Sequence, residues 1–95
     1  MEAIELDDFV GQPCKSKLAY EFIPKKQMNF DLQEVNDKLL EKQVFVEVNT
    51  PYLLIAHIQE TAVSFFKSGK IMVKNTKDMN LARKIAEKFI EKVFK

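Results

Sequence analysis

The chain has 95 residues, which is enough for one domain with a single hydrophobic core. Hydrophobic residues make up 46% of it and charged residues 31%, a balance typical of a folded globular protein rather than a disordered one. A formal net charge of +1 excludes an overall electrostatic attraction to a polyanion. The first 13 residues carry four acidic and no basic side chains. We therefore expect an acidic arm over residues 1–14, which serves solubility, covers a basic face or contacts a partner, followed by one domain over residues 15–95.

The sequence predicts a cytoplasmic protein without membrane contact. Its one cysteine, Cys14, cannot form an internal disulfide. The first residues are acidic where a secretory signal would be basic, and no apolar run approaches the roughly 18 residues of a membrane span.

The first predicted elements are a strand and a helix. Residues 1–13 show no sustained period and end in a Gly-Gln-Pro breaker. "KLAYEFI", residues 17–23, alternates with the period of a strand, and Pro24 ends it. The period then changes in "NFDLQEVNDKLLEK", which predicts a short helix from the N-cap Asp31 to about Lys42.

The rest of the chain predicts four strands and a long helix. Short turns separate the strands, which are predicted over residues 44–49, 52–59, 62–66 and 70–74. The helix begins at Thr76 or Asp78, because apolar residues then recur at steps of three and four. These apolar residues are Leu81, Ala82, Ile85, Ala86, Phe89, Ile90 and Val93.

The order β-α-β-β-β-β-α predicts an α+β fold with one antiparallel five-stranded sheet and two helices on one face. Two helices with one apolar stripe each cover only one face of a sheet. The other face is therefore open, or it finds a partner.

Alternation divides the last two strands between the two faces. Val63, Phe65, Ile71 and Val73 suit the helix-covered side. On the preceding strand, alternation does not decide whether the set that contains Ile55 or the set that contains Leu54 faces outward. The residues predicted to face outward, and so to bind nucleic acid or a partner, are Ser64, Phe66, Lys70, Met72 and Lys74.

The hairpin "FFKSGKIMVKNTKD" carries a family resemblance. It matches the pattern Phe-x-Ser-Gly-Lys-[Ile/Met]-x-x-x-Gly-x-Lys followed by an acidic helix start, and the matching residues are Phe66, Ser68, Gly69, Lys70, Ile71, Lys77 and Asp78. Together with the order of elements over residues 17–94, this stretch resembles one repeat of the TATA-box-binding protein. In that family, paired repeats form a saddle whose concave sheet lies in the DNA minor groove, where phenylalanines wedge between bases. The resemblance implies that Phe66 is a wedging residue and that Lys70 contacts phosphate.

The chain also differs from that family. Thr50-Pro51-Tyr52 stands where the second wedging phenylalanine would be, and Lys74-Asn75 replaces a Thr-Gly pair. Only one repeat is present, so a saddle would require a dimer.

A second, weaker resemblance concerns the stretch "CKSKLAYEF". It is similar to small archaeal domains, some of which accompany adenylyltransferases that activate sulfur carriers. The resemblance implies an accessory domain in which Cys14 is a reactive thiol. Lys15 and Lys17 are close in sequence and could lower the pKa of that thiol.

The residues favour a binding function over catalysis. His57 is the only histidine and has apolar neighbours, so we expect it to be packed or hydrogen-bonded, with no catalytic residues, metal site or cofactor. The favoured function is a non-enzymatic interaction module that uses the open face and self-associates as a homodimer or binds a protein partner. The alternatives are a nucleic-acid-binding protein that uses Phe66 and the hairpin lysines, and the accessory domain with a functional Cys14.

Overall fold

The computed structural model describes residues 4–95, which form an α+β domain with an antiparallel open sheet and two α-helices. The strands are β1 (Phe9–Pro13), β2 (Ala19–Pro24), β3 (Val46–Asn49), β4 (Leu53–Ile58), β5 (Thr61–Phe66) and β6 (Ile71–Lys74). The helices are α1 (Leu32–Glu41) and α2 (Met79–Phe94), and a short 3-10 turn spans Leu6–Asp8. The strand order across the sheet is β1-β2-β6-β5-β4-β3.

The sheet has six strands, so the prediction of five is wrong. The additional strand, β1, lies in the predicted acidic arm and pairs along its whole length with β2. Its sequence Phe-Val-Gly-Gln-Pro contains two strand breakers, which hides it from pattern analysis. It forms because β2 would otherwise leave a row of backbone groups unpaired at the edge of the sheet.

The two helices begin where capping side chains predict. Asp31 accepts a hydrogen bond from the backbone N–H of Gln33 at the start of α1. Asp78, rather than Thr76, is the N-cap of α2. The predicted apolar stripe of α2 is buried except for Leu81, which is 47% exposed. That position lies in the first turn of the helix, next to its cap.

Both helices pack on the same face of the sheet, called here the covered face. Phe65 and Phe89 are fully buried, and their ring centroids lie 5.1 Å apart, so they join β5 to α2. Val35 and Leu39 of α1 belong to the same core. On β4, Leu54 and its alternating partners face the helices, which answers the question that alternation left open.

Within the described residues 4–14, the N-terminal arm docks against α2 and extends the sheet as β1 rather than crossing its other face. Asp7 accepts a hydrogen bond from Arg83 at 3.1 Å, and Glu5 accepts one from Lys95 at 2.9 Å. Leu6 and Phe9 are buried in the main core. Of the arm, residues 1–3 lie outside the described residues. Neither helix of the described chain is both long and apolar enough to cross a bilayer.

Candidate functional site

The face of the sheet that no helix covers is called here the open face. It consists of the side chains that alternate with those of the main core along each strand. Its members are Val10, Gln12, Ala19, Glu21, Ile23, Phe45, Glu47, Val48, Leu53, Ile55, His57, Ala62, Ser64, Phe66, Lys70, Met72 and Lys74. This set contains all five residues predicted to face outward.

The centre of the open face is nevertheless closed to solvent. Met72 is 7% exposed and packs with Cys14 and Ala19 against the partly buried Phe66. Ser64, which lies beside Met72 in the sheet register, is 2% exposed. Met72 and Ser64 were predicted to be available for binding. Burial in this central cluster leaves them little surface to offer a partner.

A chain of polar contacts crosses the face beside this cluster. The Gln12 side-chain amide donates a 2.9 Å hydrogen bond to Glu21, and the Lys70 ammonium lies 3.1 Å from the same carboxylate. The Lys70 Nζ atom also lies 5.1 Å from the centroid of the Phe66 ring. The hydrogen bond from Gln12, assisted by Lys70, lowers the pKa of Glu21 below its ordinary value. Lys70 is therefore already bound to an acid and to an aromatic ring.

A second polar pair lies on the other side of the face. His57 Nε2 is 2.7 Å from the Glu47 carboxylate, and its ring centroid is 5.3 Å from that of Phe45. The backbone N–H of His57 donates to the carbonyl of Phe45. The imidazole is thus held by a cross-strand partner, as expected for a hydrogen-bonded histidine.

Exposed apolar side chains flank the centre on both sides. On the flank formed by β1 and β2, Val10 is 51% exposed and Ile23 is 37% exposed. On the flank formed by β4 and the residue before β3, Leu53 and Ile55 are half-buried and Phe45 is 65% exposed. The surface that a partner can reach is therefore apolar at both flanks, with Lys70, Lys74 and the rim of Phe66 between them.

Cys14 lies at the border of the central cluster and is 8% exposed. Hydrogen bonds from the backbone N–H and the hydroxyl of Ser16 lower the pKa of its thiol below the ordinary value, against the opposing effect of burial. The thiolate is favoured electrostatically, but its access to a large reagent requires the cluster to open.

Other surfaces offer weaker chemistry. The described residues contain no group of three or more His, Cys, Asp or Glu side chains placed to hold a metal ion. A cleft of about 520 Å³ lies beside the start of α1 and Lys67, where the Asp31 carboxylate already accepts a hydrogen bond from the backbone N–H of Gln33. None of the predicted site residues lines this cleft.

Several residues of the open face escaped sequence analysis. Glu21 could have been assigned to the face by alternation with Tyr20 and Phe22, but its contact with Lys70 depends on the pairing of β2 with β6. Glu47 and Phe45 meet His57 because β3 pairs with β4 through a register shift near Glu47. Residue spacing carries no signal for either contact.

Comparisons with known proteins identify no relative. No protein-family model matches the chain, and no match was found among curated proteins or among solved structures.

Proposed function

We infer that this chain is a non-enzymatic interaction module that binds a protein partner through the open face. One observation carries the inference: two exposed apolar flanks border a centre in which Lys70 and Glu21 are paired within the face itself. Apolar surface of this kind is an interaction site by default. The acids Glu21 and Glu47 balance the bases Lys70 and Lys74, so the face suits a partner of mixed polarity.

The same charges make a nucleic acid a less suitable partner. Affinity for a phosphate backbone comes from lysines and arginines that release counterions when they contact phosphates. Lys70 would first have to leave Glu21, and a phosphate placed there would approach that carboxylate. Lys74 is the remaining lysine of the face. One lysine free to contact phosphate is few for a surface that binds a polyanion.

We also propose that the domain is related to one repeat of the TATA-box-binding protein, with β1 as an addition. Support comes from the element order after β1 and from the backbone of the hairpin motif. Gly69 has a φ of 95°, and Asn75, at the second glycine position of the motif, has a φ of 65°. Asparagine is among the residues that best tolerate this left-handed conformation, so Asn75 is a substitution that the motif's geometry accepts.

The proposed function is tested by cross-linking in cells that produce this chain. A photoreactive phenylalanine replaces Val10 or Ile55 on the open face, or Leu40 as a control. Leu40 is 56% exposed on α1, away from the open face. We expect protein adducts after illumination from the two positions on the face and none from the control position.

A parallel titration decides the nucleic-acid alternative. The purified protein is mixed with duplex and single-stranded oligonucleotides over a series of salt concentrations. We expect no binding that depends on Phe66 or Lys70. If the face positions yield no protein adducts, while oligonucleotide binding falls with salt and is lost in Phe66→Ala and Lys70→Glu, the inference is wrong and the nucleic-acid function replaces it.

A further inference from the structure

Both edges of the sheet are poorly suited to pairing with a strand of another molecule. The outer strand β1 contains Gly11 and ends at Pro13, which has no backbone N–H to donate. The register of β3 at the other edge shifts between Val46 and Val48. Proline and irregular register are devices that keep sheet edges from extending. Association through the sheet is therefore directed to its open face.

The area of the open face matches a weak dimer interface. Six strands with a spacing of about 4.8 Å, each about 13–20 Å long, present roughly 500 Å² of planar area per copy. Two copies packed face to face would bury on the order of 1,000 Å², which reaches the lower limit for specific interfaces but not the standard size. We expect a dissociation constant in the micromolar range, so that the state of the chain depends on its concentration.

The charges of the face fit a second copy of itself. Two acids and two lysines make it neutral overall, so two copies do not repel one another as strongly charged faces would. A twofold axis across the strands, through the row of Met72, would place β6 on β6, with Lys70 of each copy over Lys74 of the other and Glu21 over its own equivalent. An axis parallel to the strands instead places β6 on β5 and β2 on β4.

The axis parallel to the strands also places β2 of one copy over β4 of the other. It brings Ile23 over Leu53, because both lie in the register row that contains Phe66 and Lys70. It brings Lys70 of each copy towards Phe66 of the other, where an ammonium and an aromatic ring attract. Like charges are separated in this arrangement, because Glu21 comes over Ile55 of the other copy and Lys74 over Ala62.

We propose that the partner of the open face is a second copy of this chain, packed face to face about a twofold axis parallel to the central strands. The proposal rests on the function inferred above and names the partner at that surface. Ile23 of each copy covers Leu53 of the other, and Lys70 of each copy meets Phe66 of the other.

Sedimentation velocity of the purified full chain, from about 1 to 500 μM, tests the association across the expected micromolar range. The wild type is expected to shift from its 11.1 kDa monomer to twice that mass within this range. Ile23→Lys should weaken dimerisation at least about tenfold, because a lysine would be buried against apolar surface. Leu40→Lys, an exposed leucine replaced outside the face, should leave it unchanged. Thermal melting monitored by circular dichroism verifies that both variants fold.

Cysteine cross-linking tests the axis. In a Cys14→Ser background, one protein carries Ile23→Cys and another carries Leu53→Cys. The mixture should form a disulfide-linked dimer, whereas each protein alone should not. A mixture without disulfide-linked heterodimer, or linked dimers of each protein alone, would overturn the parallel axis.

A single monomeric species at every concentration would overturn self-association. Equal weakening by Ile23→Lys and Leu40→Lys would overturn self-association through the open face. If the chain is monomeric but photoreactive positions on the face capture another protein in cells, self-association fails and the interaction function stands. If the chain is monomeric and those positions capture nothing, both fail.

Discussion

Phe65 and Phe66 are neighbours on β5, yet they lie in different environments. Phe65 is fully buried on the covered face among the rings of Phe30, Phe89 and Phe94. Phe66 points to the open face, where Lys70 lies over its partly exposed ring. The covered face is protected by helices. The centre of the open face is a small buried apolar cluster with polar pairs beside it. The exposed flanks are therefore the surface that is available for binding.

Replacing each of these phenylalanines by alanine, in separate variants, should give the largest difference in stability and tests the comparison most directly. Phe65→Ala should lower the free energy of unfolding by about 3–5 kcal/mol, because it leaves a cavity in the core. Phe66→Ala should cost only about 1–2 kcal/mol, since its ring is partly exposed and loses one cation–π contact. Urea unfolding of both variants measures the difference. Equal losses would mean that the two faces are equally packed.

The turn between β5 and β6 gives the next largest effect. Gly69 has a φ of 95°, and a Cβ atom there would lie 3.0 Å from the side chains of Phe30 and Pro24. Gly69→Ala should destabilise the fold by about 2 kcal/mol through backbone strain and crowding. Ser68→Ala, at an exposed position of the same turn, is the control and should change stability by less than about 0.5 kcal/mol. Similar melting temperatures for the two variants would contradict this role of the glycine.

The ion pair of the open face predicts a dependence on pH. The pKa of Glu21 is lower in the folded chain than its ordinary value of 4.5, mainly because of the hydrogen bond from Gln12 and then because of Lys70. Its contribution to stability is therefore complete above the unfolded pKa and is lost as the pH falls through the folded pKa. Glu21→Gln should cost about 1 kcal/mol at pH 7 and almost nothing in strong acid.

Urea midpoints measured between pH 2 and pH 7 test this dependence. Glu60→Gln, in the exposed turn between β4 and β5, serves as the control and should not reproduce the profile. A loss in Glu21→Gln that is constant over the whole range would show that the carboxylate charge is not responsible.

The smallest expected effect is on the exposed flank. Val10→Thr keeps the branched shape of a half-exposed side chain and should change monomer stability by less than about 0.5 kcal/mol. The same substitution at the fully buried Val63 should cost about 1–3 kcal/mol, because a hydroxyl is placed in the core. Both are compared by thermal melting at a concentration where the chain is monomeric. A large loss in Val10→Thr would mean that this flank is already covered within one copy.

Much of the architecture follows from local pattern. The alternation of Val63 and Phe65 with Ser64 and Phe66 correctly divides β5 between the two faces. The periodic apolar residues of α2 correctly mark a helix and its buried side, with Leu81 as the exception. These features depend on residues close in sequence, for which the geometry of strands and helices decides the direction of the side chain.

The composition of the candidate site was harder to predict from the sequence than the architecture. Strand β1 was not predicted because Gly11 and Pro13 interrupt it, and it forms only when β2 offers an edge. The burial of Ser64 and Met72 arises because side chains from neighbouring strands close over the centre of the face. Sequence spacing does not contain that information.

The sequence by itself determined an α+β domain with two amphipathic helices and the hairpin from Phe65 to Lys74, because these depend on local periodicity, capping and turn chemistry. Only the tertiary structure decided that β2 lies beside β6, and therefore that Glu21 meets Lys70. It also decided that the described part of the arm adds a sixth strand to the sheet rather than crossing the open face. The physical reason is that strand pairing joins residues far apart in the chain, through backbone hydrogen bonds that are available to almost any side chain.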